Sequence, residues 1–120
     1  MRIEKIKIDG EEYPVCYSAG VLQQMEERFG IDNPFNFKTT RDSIWVLHIM
    51  LKAAAGYYKL KGIDYKEPPT EEELAILMGP DDFNEMYYTL GQTIKNGSTT
   101  KVQVENEDDD TKNVTATPSV

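Results

Sequence analysis

The chain has 120 residues, 39% hydrophobic and 28% charged, which suits one soluble domain because two halves would each be short of core. Its formal charge of −8 would repel a phosphate backbone, so a nucleic acid is a poor candidate partner. The single cysteine, Cys16, is typical of a reducing compartment, and no run approaches the ~20 apolar residues of a membrane-spanning helix, so we expect a cytoplasmic protein with no membrane partner.

The first predicted element is a β-hairpin. In "KIKIDGEEYPVCY", apolar and polar residues alternate on both sides of Asp9-Gly10, which is a favoured tight-turn pair. Pro14 has no backbone N–H to donate, so its strand should lie at an edge of the sheet.

The second element is predicted to be a helix from Ser18, a suitable N-cap, to about Phe29. Its apolar residues repeat at helical spacing, at Val21, Leu22, Met25 and Phe29. Gly30 should end the helix, with Ile31 making the apolar contact that is usual after a glycine C-cap.

A long central helix is predicted from about Thr40 to Leu60, capped by Thr39 or Thr40. In the loop before it, Phe35 and Phe37 are expected to fold back onto the core. Apolar residues reach far around the helix, beyond one stripe, and include Trp45, Val46, Ile49, Met50 and Ala53. Such a helix is either central in the core or partly covered by another chain.

Two further helices complete the predicted body. Thr70 and Glu73 form a capping box at the start of the short third helix, "EEELAILM". A Gly-Pro pair breaks this helix, and the last helix then runs to about Gly97. The sequence therefore predicts an α+β fold, mainly α-helical, with an N-terminal β-hairpin followed by about four helices in one domain, residues 1–97.

Residues 98–120 differ from this body in composition. They contain two lysines and five acidic residues, a net charge of −3, and no aromatic residue. Because burying this little apolar surface cannot offset the conformational entropy lost on ordering, we predict a disordered, flexible acidic tail. At most, Val102 and Val104 form a short strand.

The sequence offers no convincing reaction centre. His48 is the only histidine and lies in an apolar helix, which favours a structural role. Cys16 is expected to be a small buried hydrophobe, although a Cys16–His48 pair brought together by the fold stays open. We therefore expect no catalytic, cofactor-binding or metal-binding residues, and we interpret the chain as a binding module rather than an enzyme.

The opening "KIKIDGEEYPVCYSAGVLQQMEERFGID" resembles the start of the tail assembly chaperones of long, flexible-tailed phages. In that family a hairpin with a D-G turn leads straight into a helix whose last two turns carry spaced apolar residues and a glutamate, followed by a glycine. The residues here that match this ending are Leu22, Met25, Glu26, Phe29 and Gly30. The similarity continues through the long apolar helix and the "TEEEL" helix start, and spans roughly residues 3–97.

The resemblance implies a chaperone that works in the cytoplasm of an infected or lysogenic bacterium and is absent from the mature virion. Its partners would be the tape-measure protein, which such chaperones keep soluble, and the tail-tube protein, which they recruit to it. Many family members also exist in a longer, frameshifted form. The acidic tail would then be the end of the short form.

Binding a helical client calls for exposed apolar or aromatic surface rimmed by charge. Tryptophan and tyrosine are enriched at interface hot spots, and in each Tyr-Tyr doublet one side chain should face away from the core. The candidate partner-binding residues are Trp45, Ile49, Met50, Tyr57 and Tyr88. Self-association through the hairpin edge or the central helix is also expected, because several copies would line one client.

Two other classes of function stay open. An acidic adaptor or DNA-mimic inhibitor of a basic nucleic-acid-binding protein would need its carboxylates ordered on one face. An enzyme with an unrecognised site would depend on His48 or Cys16, which supply the acid–base and nucleophilic groups.

Overall fold

The computed structural model describes residues 1–98 as a β-hairpin followed by four helices, which confirms the predicted mainly helical α+β fold. The elements in chain order are β1 Glu4–Ile8, β2 Glu11–Val15, α1 Ala19–Phe29, α2 Thr40–Lys61, α3 Glu71–Leu77 and α4 Asp82–Ser98. The tail predicted to be flexible, residues 98–120, lies outside the described residues except for Ser98, which ends α4.

The hairpin is an antiparallel pair in which Ile8 lies opposite Glu11, so the turn is the two residues Asp9 and Gly10. Their φ angles are 51° and 83°, and two successive positive angles are what a type I′ turn requires. Within residues 1–98 the sheet consists of these two strands, so the strand that holds Pro14 is an edge, as predicted. The apolar positions of the alternation are buried towards the helices.

The central helix α2 is surrounded by other elements. The hairpin strand β2 and helices α1 and α3 all pack against it. The Cys16 backbone N–H donates to the Met50 carbonyl at 3.3 Å, which fastens the end of β2 to the middle of α2. Thr39 caps the helix by accepting from the Asp42 N–H at 3.1 Å, and Gly62 ends it in the left-handed region. Its excess of apolar residues is therefore used in the core of this chain.

Helix α1 begins and ends where predicted, but the residue after it does not pack. Ser18 Oγ accepts from the Val21 N–H at 3.2 Å, and Gly30 follows the last turn with φ 100°. Ile31 is 75% exposed, so the expected apolar contact after the glycine cap is wrong. The ψ of Gly30, 149°, directs the chain away from α1 rather than back over it.

The loop before α2 is only half folded back. Phe37 packs against the core, with its ring centroid 6.2 Å from that of Phe29 and 6.1 Å from that of Tyr87. Phe35 is 46% exposed and is not part of the core cluster, although its ring centroid lies 6.4 Å from that of Tyr17. The expectation is confirmed for Phe37 and wrong for Phe35.

Helix α3 carries the predicted capping box. The Thr70 N–H donates to Glu73 Oε1 at 2.9 Å, and the Glu73 N–H donates back to Thr70 Oγ1 at 3.1 Å. Leu74 is buried where α3 packs on α2, whereas Ile76 on the opposite side is 81% exposed.

Helix α4 packs on β1 and ends beside the N-terminal end of α1. Asn96 Nδ2 donates to Glu4 Oε2 at 2.9 Å. A Cβ atom on Gly97 would lie 2.9 Å from Tyr17 Cδ2, so only glycine allows this close approach. Tyr17 directly precedes Ser18, so the chain leaves α4 next to the start of α1.

Candidate partner-binding groove

Helices α1 and α2 run antiparallel and leave a groove between them, with a volume of about 490 Å³. We call this the α1–α2 groove. It is lined from the α1 side by Ser18, Gly20, Val21 and Gln24 and from the α2 side by Trp45, His48, Ile49, Lys52 and Ala53. Val21 and Ile49 are buried and form an apolar floor, while Gln24 and Lys52 are exposed at the rim.

Trp45 is held in a fixed position at one end of this groove. The Arg28 guanidinium carbon lies 4.4 Å from the Trp45 ring centroid, within cation–π range. The Phe29 ring meets Trp45 edge to face, with centroids 5.7 Å apart at 84°. Arg28 also forms an ion pair with Asp42 at 2.9 Å. The half-buried indole is therefore ordered before any partner arrives.

A row of aromatic rings continues from Trp45 into the rest of the molecule. Phe29, Phe37 and Tyr87 follow one another, and the last two rings are stacked at an interplanar angle of 5°. The Tyr87 hydroxyl oxygen lies 2.6 Å from Ser43 Oγ on α2, a hydrogen bond between the two hydroxyls. This row connects α1, the loop before α2, α2 and α4.

The five sequence-predicted residues occupy different environments. Met50 is fully buried and Ile49 is 6% exposed, so the expectation that both lie on an exposed apolar surface is wrong. The physical reason is that β2, α1 and α3 already surround α2. Trp45 is partly exposed at the groove, and Ile49 reaches it only as floor.

The two tyrosines lie away from the groove. Tyr57 is partly buried near the end of α2, beside Tyr58 with ring centroids 6.4 Å apart. Tyr88 is 69% exposed on α4. The structure therefore brings Trp45 and Ile49 together at one surface and leaves Tyr57 and Tyr88 elsewhere.

Residues that were not among the predicted partner-binding candidates complete the groove. Lys52 and Ala53 follow Trp45 by seven and eight positions, which is two helical turns, so helical spacing along α2 was a signal for them. Gly20 and Gln24 lie on α1 outside the apolar stripe that contains Val21, so helical spacing of apolar residues does not indicate that they line the groove.

The electrostatics of the groove differ from those of three other surface clefts. Among residues 1–98 no carboxylate lines the α1–α2 groove, and Lys52 is the one lysine or arginine that does. Acidic side chains outnumber basic ones in each of the other clefts. The cleft between β1 and α4 is lined by Asp9, Glu12, Asp82 and Glu85 with Lys5 and Lys7, the cleft beside α3 by Glu67 and Glu73, and the cleft between α2 and α3 by Glu71 and Glu72 with Arg41. On an acidic molecule this groove is thus a neutral to positive surface.

The groups considered for catalysis have structural surroundings. His48 Nδ1 lies 3.2 Å from the Pro69 carbonyl oxygen, which links α2 to the segment before α3. Cys16 is fully buried, and burial raises the pKa of its thiol to about 11. Within residues 1–98 no group of three or more histidine, cysteine or acidic side chains is placed to hold a metal ion. None of the helices in this range has the length and apolar character to cross a membrane.

Comparison with known proteins gives no match to a family model, to a curated protein or to a solved structure. The α1–α2 groove and the residues that carry the resemblance are therefore the features that bear on function.

Proposed function

We propose that this protein is a non-catalytic tail assembly chaperone of a phage or prophage, which binds and solubilises the tape-measure protein in the bacterial cytoplasm. It helps recruit tail-tube subunits and is absent from the mature virion. The observation that carries the proposal is the α1–α2 groove, which has an apolar floor, a fixed tryptophan and, among residues 1–98, no carboxylate, on an otherwise acidic molecule. The hairpin leading directly into a capped helix also agrees with the resemblance.

The groove suits the apolar face of a helix. Its two walls are helices, its floor is formed by Val21 and Ile49, and Trp45 stands at one end. An amphipathic helix that lays its apolar side chains between two helices is a common mode of peptide recognition. A long helical client with a repeated apolar stripe presents such a face many times, so several copies of the chaperone can bind along it.

The physical basis of solubilisation is removal of apolar area from water at the groove and net charge elsewhere. Because Arg28 and Phe29 already hold the Trp45 ring, binding does not have to order that side chain. The charge of −8 then keeps the loaded complexes apart. No bond is made or broken in this mechanism.

Recruitment of tail-tube subunits and self-association would use surface outside the groove. Large apolar side chains that are exposed there include Leu60 at 87%, Ile76 at 81% and Tyr88 at 69%. They lie on three different helices, α2, α3 and α4, and none of them lines the groove.

The proposal is tested by co-expressing the chain with a tape-measure protein encoded beside it and separating soluble from pelleted material. We expect the client to move into the soluble fraction and to co-elute with the chaperone in size-exclusion chromatography. A client that pellets equally with and without the chain contradicts the proposal.

A further inference from the structure

The outer edge of strand β1 carries backbone groups that β2 does not use. In an antiparallel hairpin with a two-residue turn, the residues that flank the turn form a hydrogen-bonded pair, and bonded and non-bonded pairs then alternate. Ile8 and Glu11 flank the turn, so the N–H and C=O groups of Lys5 and Lys7 point away from β2. Within residues 1–98 no hydrogen bond from another element reaches these groups.

The outer edge of β2 is not open in the same way. Pro14 occupies an outward position and has no N–H to donate. The next outward N–H, that of Cys16, already donates to the Met50 carbonyl of α2. A further strand can therefore be added to this sheet at the β1 edge and not at the β2 edge.

A cleft of about 300 Å³ lies between the β1 edge and α4. The consecutive residues Lys5–Asp9 all line it, although each face of a strand presents only alternate residues. The cleft therefore follows the edge of β1 rather than one of its faces. Ile6 and Ile8 give it apolar surface on the strand side, and Met78 and Met86 do so on the other side.

The geometry of a sheet determines what an added strand would have to contain. Its side chains would point alternately to the two faces, so every second one would lie on the face of Ile6 and Ile8, next to α4. The others would lie directly opposite Lys5 and Lys7, with Cβ atoms ~4.5–5.5 Å apart. At that separation opposite charges stabilise a pair and like charges destabilise it.

The cleft is also lined by four carboxylates, those of Asp9, Glu12, Asp82 and Glu85. The two on α4 lie on the side of the apolar face, so the partner's side chains that point towards α4 should be apolar and uncharged. Glu12 lies directly opposite Lys7 on β2 and offsets part of its charge. Lys5 lies opposite Pro14 and forms no ion pair within residues 1–98, so its ammonium group is the better position for a partner carboxylate.

A second copy of this chain is a poor occupant of the β1 edge. If two β1 strands pair antiparallel with the register centred on Lys5, that lysine faces its own copy. If the register is centred on Ile6, Lys5 faces Lys7 of the other copy. Like charges directly opposite one another disfavour both arrangements, and lysines on an edge strand are a common protection against self-pairing.

We propose that the β1 edge binds an extended segment of another protein as a third strand of the sheet, with apolar side chains towards α4 and a carboxylate opposite Lys5. Backbone hydrogen bonds to Lys5 and Lys7 provide the affinity, and the alternating side chains provide the selectivity. The residues that line this cleft and those that line the α1–α2 groove are different, and the contact does not rest on the proposed function.

The test uses the full chain and a synthetic peptide as the probe. The peptide has five residues, the length of β1, with valine and aspartate alternating from a valine at each end, and its ends are acetylated and amidated. Hydrogen exchange of the Lys5 and Lys7 amides is followed by NMR. With nine-tenths of the chain bound, both amides should exchange about tenfold more slowly, because exchange then proceeds from the free tenth.

A charge swap tests the side-chain part of the proposal. A peptide with lysine in place of aspartate should bind wild type about tenfold more weakly. Lys5→Glu should remove most of this preference. Lys38→Glu is the matched control and should keep it, because Lys38 is an exposed lysine that does not line the cleft.

Three results would overturn the proposal. Unchanged exchange at Lys5 and Lys7 with ~1 mM of the aspartate peptide would show that the edge does not accept a strand. Equal affinity for the two peptides would show that the lysines do not select a carboxylate. Slow exchange without peptide, which increases with protein concentration and accompanies a doubled mass in sedimentation, would show that a second copy is the occupant. None of these measurements involves the tape-measure protein, so their outcome is separate from that of the proposed function.

Discussion

The two sides of α2 have different surroundings although both are rich in apolar residues. On one side Met50 and Leu47 are fully buried among the hairpin and the other helices. On the other side Trp45, Lys52 and Ala53 line a groove that α1 only partly covers. The difference shows that most of the apolar excess of this helix stabilises the fold, and that only a narrow strip is left for a partner.

The largest effect is expected on the buried side. Met50→Ala should lower the free energy of unfolding by about 2–5 kcal/mol, because it removes a fully buried side chain and leaves a cavity beside α2. Chemical denaturation followed by circular dichroism measures the change. A loss below about 1 kcal/mol would mean that the site collapses freely, and that this side of α2 is not the rigid core described above.

The second prediction for the buried side of α2 concerns Cys16 and the pH dependence of the free energy of unfolding. Burial raises the pKa of its thiol from 9.0 to about 11, so the unfolded chain loses this proton first. Below pH 9 the thiol is protonated in both the folded and the unfolded chain, and its contribution to the free energy of unfolding is fully present. That contribution is lost as the pH rises from 9 to 11. The free energy of unfolding should fall over that window by at most ~2–3 kcal/mol more in wild type than in Cys16→Ala. Parallel pH profiles for the two proteins would contradict the assignment of Cys16 as a desolvated thiol.

The smallest effect on stability is expected for an exposed residue on another helix, Tyr88 on α4. Tyr88 is 69% exposed on α4, so Tyr88→Ser should change the free energy of unfolding by less than about 0.5 kcal/mol. Because Tyr88 lies outside the groove, binding of the tape-measure protein should also be unchanged, as pull-down experiments can show. Reduced binding with unchanged stability would show that the client binds at α4 rather than in the groove.

The parts of the fold that could be predicted are those determined by local chemistry. The Asp9-Gly10 turn, the Ser18 cap and the Thr70–Glu73 box each depend on residues within a few positions of one another. Which side of a helix is covered depends on distant elements, and that is why Ile49 and Met50 were expected to be exposed and are not.

Only the α2 wall of the α1–α2 groove could be predicted from the sequence. Helical spacing connects Trp45, Ile49 and Lys52 on α2. The α1 wall is set by how α1 lies across α2, through contacts such as the Arg28–Asp42 ion pair between residues fourteen positions apart. No periodicity within α1 contains that information. The Ile31 contact failed for a similar reason, since the backbone at Gly30 adopts an extended ψ that a sequence motif does not specify.

The most direct test of the central claim, that the α1–α2 groove holds the client, is to fill the groove with a side chain. Gly20 is exposed and lines the groove, and an added Cβ atom would meet Ser18 Oγ at an ordinary 3.7 Å. Replacing a helical glycine should not destabilise the fold and can stabilise it by up to ~1 kcal/mol. Gly91→Gln is the matched control, because Gly91 is an exposed helical glycine on α4 with open space around it.

The measurement is the soluble fraction of the tape-measure protein co-expressed with wild type, Gly20→Gln or Gly91→Gln. We expect wild type and Gly91→Gln to keep the client soluble, and Gly20→Gln, although folded, to leave it in the pellet. A Gly20→Gln protein that solubilises the client as well as wild type would show that the groove is not the client-binding surface.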